Sequence, residues 1–438
     1  MRAAFLTLGC KVNQVETQVI REQFKAAGYE LVDFDEPADV YVVNTCSVTA
    51  VSDKKSRQAL RRAKRRNPAA IVVATGCYPQ TAPAELEAMR EVDVVVGNRR
   101  KSEILDAVAE AQRSMGRVVR LRDLTHESRF EPLRATAHFE HTRAAVKIQD
   151  GCDNFCAYCI IPYARGRICS KPLDEAVEEL RGLARRGFLE IVLTGIEIAS
   201  YGEGGEIALV DLLEACDAAL DEMGSPARLR LGSLEPRIVT PAFVARLANL
   251  HHICPQFHLS LQSGCDETLR RMNRKYDTAL YREAVRLLRR HIPHTAITTD
   301  LMVGFPGETD AELEQTLLFL DEIGFAKVHV FAYSRRPGTA ADRMPGQIPV
   351  RVKELRSHLV IERMERARQA FFAAQLGEVF PVLFETEVSP GVFEGVTPNY
   401  TPVRAASSEP LAGTLRPVLL TGAGADWCEG VLADKTEK

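Results

Sequence analysis

The sequence predicts an α/β protein in three parts: an N-terminal parallel-sheet α/β domain, a central partial (βα)6 barrel, and a small C-terminal antiparallel β-barrel. Three observations lead there. Strand-like apolar runs alternate with helical periodicity over roughly the first 130 residues. Six more strand–helix repeats follow between about 142 and 350. After about 377 the chain changes to short alternating runs rich in Val, Thr, Gly and Pro, the pattern of a small barrel.

In the first part, strands are expected at 3–8, 40–44, 71–75 and 92–96, with helices at 14–27, 52–66, 83–91 and 102–113. A polar stretch, 123–141, reads as a linker. In the second part the strands are 144–149, 190–194, 228–231, 257–261, 297–303 and 327–331. Helical patterns at 173–186, 209–223, 241–247, 277–290 and 310–323 separate them, and a charged helix at 351–375 leads out. The expected domains are therefore 1–130, 138–370 and 374–438.

Hydrophobic residues make up 46% and charged residues 26%, as in ordinary globular proteins. No apolar run approaches the roughly 18–20 residues that span a bilayer. The N-terminus runs straight into a strand without signal-peptide order, so cytoplasm is the expected compartment. Net charge is −3, so any nucleic-acid contact must come from local basic patches. Eleven cysteines, an odd number in a long chain, argue against a disulfide framework and for metal binding or chemistry.

The strongest motif is Cys152-Asp-Asn-Phe-Cys156-Ala-Tyr-Cys159. Three thiolates at this spacing can hold three irons of a four-iron–four-sulfur cluster and leave the fourth iron open. An open iron can chelate the amino and carboxylate groups of S-adenosylmethionine. The motif follows the first barrel strand and so belongs at the C-terminal mouth, where such folds keep their active sites. A zinc site or three structural cysteines are the rival readings, but zinc wants four ligands and no second knuckle exists. Cys10, Cys46 and Cys77 are far apart in sequence, yet each closes an expected strand of the first sheet. Parallel strands place such ends on one edge, where open α/β sheets bind ligands. Three thiolates there could hold a second cluster, and Gly9 and Gly76 permit the tight turns it needs. For any one of the three, a buried apolar thiol is the commoner role. Cys216 reads as core and Cys265 as an inert thiol near the mouth.

Polar groups at successive strand ends can converge on one ligand. The candidate cofactor contacts are Tyr158 in the cysteine loop, Gly195 and Glu197 after the second strand, and Ser233 and Glu235 after the third. Gln262 follows the fourth, and Phe305 and Pro306 lie in the turn Gly304-Phe-Pro-Gly307-Glu308-Thr309 after the fifth. Glu308 or Thr309 can also cap the next helix. Between residues 53 and 66 lie eight basic residues, and Asp53 is the only acid. That imbalance favours an anionic partner such as a phosphate backbone. The candidates are Lys54, Lys55, Arg57, Arg61, Arg62 and Arg65. On the C-terminal barrel, Tyr400 and Phe393 could stack on bases and Arg404 could reach phosphate, or all could simply build a small barrel.

Together these pieces resemble the methylthiotransferases of the radical S-adenosylmethionine superfamily over essentially the whole chain. The extended run Cys159-Ile-Ile-Pro162-Tyr-Ala-Arg165-Gly166 is similar to the family's signature, and Gly395-Val-Thr397-Pro-Asn399-Tyr400 to its C-terminal TRAM domain. The resemblance implies two 4Fe-4S clusters, with Cys10, Cys46 and Cys77 as auxiliary ligands. It also implies a mechanism. One S-adenosylmethionine methylates sulfur on the auxiliary cluster. A second is reduced to a 5′-deoxyadenosyl radical, which activates the C–H bond that receives the methylthio group. An electron donor such as flavodoxin or ferredoxin is implied as a partner, no membrane is, and a monomer is the default. Gly9-Cys10-Lys11-Val12-Asn13-Gln14, Arg271-Met-Asn-Arg274-Lys275-Tyr276 and Val328-His329-Val330-Phe331-Ala-Tyr333-Ser334 look like one branch of that family. That branch acts on N6-threonylcarbamoyladenosine at position 37, in the anticodon stem-loop of tRNA. Isopentenyladenosine in tRNA and a ribosomal-protein aspartate are the alternative substrates. A non-enzymatic iron–sulfur RNA-binding protein is the alternative class. Cys169 and Lys171 stand where the family usually has arginines, and Cys265 replaces a common serine.

Overall fold

A computed structural model describes residues 1–114, 116–134 and 142–433. The end of the expected linker, the expected central-domain start at 138 and the last five residues lie outside the described residues.

The N-terminal sheet has six parallel strands: β1 (Arg2–Thr7), β2 (Glu30–Val32), β3 (Val40–Thr45), β4 (Ile71–Gly76), β5 (Val94–Val96) and β6 (Val118–Arg120). Their order is β2-β1-β3-β4-β5-β6. Helices pack on both faces, so β3 and β4 are apolar on both sides, and residues 40–43 and 72–74 are completely buried. The order reverses between β1 and β3. At that place the connecting chains leave in opposite directions, and a crevice opens beyond the strands' carboxyl ends. β2 and β6, three residues each, were not expected from sequence; runs so short carry no period to read.

The central strands are β7 (Ala144–Lys147), β10 (Glu190–Thr194), β11 (Arg228–Leu231), β12 (Gln256–His258), β13 (Ala296–Val303) and β14 (Lys327–Ala332). A small antiparallel pair, β8 (Gln149–Asp150) and β9 (Cys169–Ser170), sits over the end of β7. The six pair in parallel as two sheets of three, joined by the bridge Leu234↔Leu259 into one open arc. Alternate residues face opposite ways. Ile191, Leu193, Leu229, Leu231, Phe257 and Ile297 pack under the outer helices. Glu190, Arg228, Arg230, Gln256 and Thr298 give the concave face a polar lining.

The C-terminal unit is a closed barrel of β15 (Val379–Ser389), β16 (Val392–Val396), β17 (Pro402–Ala406), β18 (Leu415–Ala423) and β19 (Cys428–Leu432). It is not wholly antiparallel: β17 and β19 pair in parallel, so the last strand zips β17 to β18.

Two buried ionic clusters dock the parts. At the N-terminal ends of β10 and β11, the Glu190 carboxylate accepts from Arg228 Nε at 2.7 Å and Arg230 Nε at 2.7 Å. The same guanidiniums donate to the barrel's carbonyls at Pro381 (3.0 Å), Val396 (2.9 Å) and Pro398 (3.0 Å). Burial would raise the Glu190 acid, but Arg230, Arg228 and Arg143 outweigh it and hold it near about 2. On the other side, Arg165 of the central part is fully buried against Glu16 of the first (2.7 Å) and against Asp150 (3.2 Å). Lys147 reaches both acids, at 2.7 Å and 2.6 Å, and Lys101 reaches Glu16 at 3.1 Å.

Two outcomes are expected. The folded Glu190 value lies below the ordinary 4.5, so its stabilisation is complete above about pH 4.5 and is lost as pH falls towards about 2. Glu190→Gln should flatten that acid limb in urea denaturation and raise proteolysis at 374–378, between the last helix and the barrel. Arg165→Met leaves Glu16 and Asp150 still paired to lysines, so its cost should fall near the lower end for a broken buried pair, about 3 kcal/mol by denaturant unfolding.

Candidate functional site

Cys10, Cys46 and Cys77 follow the carboxyl ends of β1, β3 and β4. Gly9 and Gly76 hold φ of +96° and +95°, which turns the chain sharply out of each strand. A Cβ on Gly9 would lie 2.7 Å from Cys46 Cβ and 2.8 Å from its Sγ, so glycine allows the first two cysteine loops to touch. Asn13 stitches them, its amide donating to Leu8 O (2.7 Å) and Thr45 O (3.0 Å). Burial raises the Cys10 and Cys46 thiols, and neighbouring thiols of the triad push further in that direction.

The second triad lies in the loop after β8. Cys159 N–H donates to Cys156 O at 2.9 Å, and Ile161 N–H donates to Cys159 Sγ at 3.4 Å. Ala157 is tied to Met272 O at 2.9 Å. Burial pushes the Cys152 and Cys159 thiols up to about 12. Groups so reluctant to ionise alone become thiolates on a metal, which deprotonates its sulfur ligands outright. Among the described residues, neither triad gathers its three sulfurs within 4.8 Å of one another, a span that suits a single ion. The wider spread fits a multi-iron cluster better than one zinc.

The helix Ile161–Arg165 lies between the triads. Asn98, from the first part, donates to Ala164 O at 2.6 Å and approaches Cys77 Sγ at 3.8 Å. Arg165 donates to Asn13 Oδ1, so one guanidinium ties the radical-motif loop to the residue that stitches the other triad. Burial disfavours its charge, but Glu16 and Asp150 more than compensate.

Around the second triad, Gln149 fixes the β10 exit: its Oε1 accepts from Ile196 N (3.0 Å) and Glu197 N (2.8 Å). Burial, then the nearby Glu235, raises the Glu197 carboxyl to about 7, and its Oε1 is buried without a partner. Arg274 donates to Cys156 Sγ at 3.1 Å and leaves its other terminal nitrogen unmatched. An unpaired acceptor and an unpaired donor beside three thiols fit a polar, charged ligand such as S-adenosylmethionine. Ser233 is exposed beyond β11, while Gln262 takes a left-handed φ of +69° beyond β12. Tyr158 is half-buried and meets Phe305 edge-on at 6.5 Å. Phe305 and Pro306 are buried, so Phe305 backs Tyr158 and the turn forms a wall. Thr309 caps the helix Asp310–Ile323, while Glu308 accepts from the Gly304 and Phe305 amides.

The expected RNA-facing residues divide. The helix Ala50–Arg66 finds its acids outside itself: Arg57 meets Glu85 (2.9 Å), Arg61 meets Glu91 (3.6 Å), and Arg62 meets Asp35 (3.7 Å). Asp53, the helix's own acid, bonds Ser47 and pairs with Arg336 of the central part. Lys54, Lys55 and Arg65 are exposed, with no ion pair among the described residues. Tyr400 bonds Arg143 (2.8 Å) and lies against Arg230, Phe393 is barrel core, and Arg404 pairs with Glu394 (2.8 Å) over the Trp427 ring. Cys169 and Lys171 are both buried, Lys171 against Glu179, so neither offers an anion a surface. Sequence reasoning gave no role to Glu16, Asn13, Asn98, Arg165 or Arg274. The two arginines stand inside quoted motifs, but no local spacing shows their partners.

Comparison with known proteins agrees with this geometry. Residues 2–97 match the family described as Uncharacterized protein family UPF0004, and 146–320 match the Radical SAM superfamily. Threonylcarbamoyladenosine tRNA methylthiotransferase MtaB of Bacillus subtilis is 38% identical over 98% of this chain and 95% of its own. The protein of that name from Aquifex aeolicus is 39% identical over 86% and 91%. Among solved structures, the radical S-adenosylmethionine methyltransferase TsrM of Kitasatospora setae, with cobalamin and a [4Fe-4S] cluster bound, covers 78% of this chain and 77% of its own. Its TM-score is 0.57 at 18% identity, a likeness of fold. With two thiol triads held on either side of one short helix, and relatives matching along almost its whole length, the chain belongs to the radical S-adenosylmethionine methylthiotransferase family.

Proposed function

We propose that this enzyme converts N6-threonylcarbamoyladenosine at position 37 of tRNA to its 2-methylthio derivative. The observation that carries the reading is the helix Ile161–Arg165: it follows Cys159 of one triad, while its Ala164 and Arg165 bond Asn98 and Asn13 beside the other. A reaction that makes a radical at one centre and delivers sulfur from another needs both beside one substrate atom.

In this reading Cys152, Cys156 and Cys159 hold the radical cluster, and Cys10, Cys46 and Cys77 the auxiliary one. When bound, the two 4Fe-4S clusters and S-adenosylmethionine supply the electron, the radical, the methyl group and the sulfur. The chain supplies placement. Arg274 neutralises charge at Cys156, Glu197 and Glu235 offer acceptors to the cofactor's donors, and Gln149 keeps Glu197 aimed. Tyr158, Gly195, Ser233, Gln262, Phe305 and Pro306 complete the cofactor pocket. Domains 1–130, 138–370 and 374–438 are the auxiliary-cluster, radical and TRAM-like RNA-binding units. Lys54, Lys55 and Arg65, with no ion pair among the described residues, are the first candidates for phosphate of the anticodon stem-loop, ahead of Arg57, Arg61, Arg62, Tyr400 and Arg404. The enzyme works as a cytoplasmic monomer with an acidic electron carrier of the flavodoxin or ferredoxin kind. Among the described residues no helix is long and apolar enough to cross a membrane.

In a host lacking the gene, mass spectrometry of digested tRNA should show the 2-methylthio nucleoside lost and its precursor accumulated. Only the wild-type gene should restore it. Loss of the isopentenyl analogue instead would move the enzyme to the sister substrate. In the reconstituted enzyme, Cys156→Ala should abolish both 5′-deoxyadenosine and methylthiolation. Cys46→Ala should keep 5′-deoxyadenosine formation within a few-fold while methylthiolation vanishes; equal loss of both would reject the division of labour.

A further inference from the structure

Against the concave face of the arc lies a cavity of about 360 Å³, large enough for a small ligand group. All three parts of the chain line it: Lys11 and Gln14 from the first, Arg143 and Val192 from the second, Glu385 and Tyr400 from the third. Two of the lining residues are cations. Arg143 is committed, its Nε 2.7 Å from Glu385 and its Nη1 2.8 Å from the Tyr400 hydroxyl. Lys11 makes no hydrogen bond or ion pair with any described residue. The charges facing its ammonium are Arg143, Arg230 and Glu190, beside the Tyr400 phenol, and Glu190 is already shared by Arg228 and Arg230. The cavity therefore holds an uncompensated positive charge. Lys11 also directly follows Cys10 in the chain, so the segment that carries the first thiol of the triad also lines this cavity.

We propose that Lys11 binds the carboxylate of the threonylcarbamoyl substituent and so sets the enzyme's choice of nucleoside. This rests on the functional reading above. Threonylcarbamoyl carries a free carboxylate; an isopentenyl group on the same nitrogen carries no charge. A site built around a charge rejects the analogue that lacks it far more strongly than an apolar pocket rejects a small change of size.

The test uses the full-length, cluster-reconstituted enzyme and an anticodon stem-loop RNA bearing N6-threonylcarbamoyladenosine or its methyl ester. Wild type should lose about 10- to 100-fold in kcat/KM on the ester. Lys11→Met should lose a similar factor on the free acid and be indifferent to esterification, with iron content unchanged. Lys11→Arg should recover most of the loss. Wild type treating acid and ester alike would overturn the proposal without any variant, as would a Lys11→Met enzyme within twofold of wild type on the acid. A wild-type enzyme inactive on the free acid, yet active on the isopentenyl RNA, would overturn the functional reading and this inference with it.

Discussion

The guanidinium of Arg165 is the group on which the rest of the site depends. It is fully buried, and a buried cation is tolerated only with acids and acceptors around it. Glu16, Asp150 and Asn13 supply these from two different parts of the chain. Pulling the two parts apart would strip these charges of partners in a low-dielectric interior, so the parts are held in one register by the cost of separating them. Because Arg165 ends the helix that carries the cysteine loop, and Asn13 bonds the loops of Cys10 and Cys46, that register is also the distance between the thiol triads.

The second ionic cluster works differently. Glu190, Arg228 and Arg230 lie at the N-terminal ends of the central strands, away from the two thiol triads, and the arginines' remaining donors reach carbonyls of the C-terminal barrel. That barrel is thus bonded to the end of the arc opposite the triads. The cavity along the concave face is bounded by the one unit at Lys11 and by the other at Tyr400.

Much of this was legible in the sequence, for identifiable reasons. The strands Glu190–Thr194 and Arg228–Leu231 coincide with their expected ranges because buried parallel strands are short apolar runs bounded by turns. Cys10, Cys46 and Cys77 could be placed at one sheet edge because parallel topology does so for any three strand ends. The first helix begins at Lys11, not 14, because its N-cap is Cys10, which makes no capping bond and leaves no signal. Strand β12 stops at His258, short of the expected 261; beyond it only isolated bridges at Leu259 and Gln262 continue the pairing. The ion pairs were out of reach: Glu16 and Arg165 are 149 positions apart. The acids that pair with the helix Ala50–Arg66 were out of reach for the same reason, since they come from Asp35, Glu85, Glu91 and Asp93.

The parallel pairing of β17 with β19 bears on how the barrel is made during synthesis. Strands β15 to β18 leave the ribosome with two unsatisfied edges, one on β17 and one on β18, and among the described residues β19 is the strand that covers both. Until Cys428–Leu432 emerges, the unit is an open sheet with exposed backbone donors and acceptors, the form most prone to pairing with another chain. Closure is therefore a single event that waits on five residues, Cys428–Leu432.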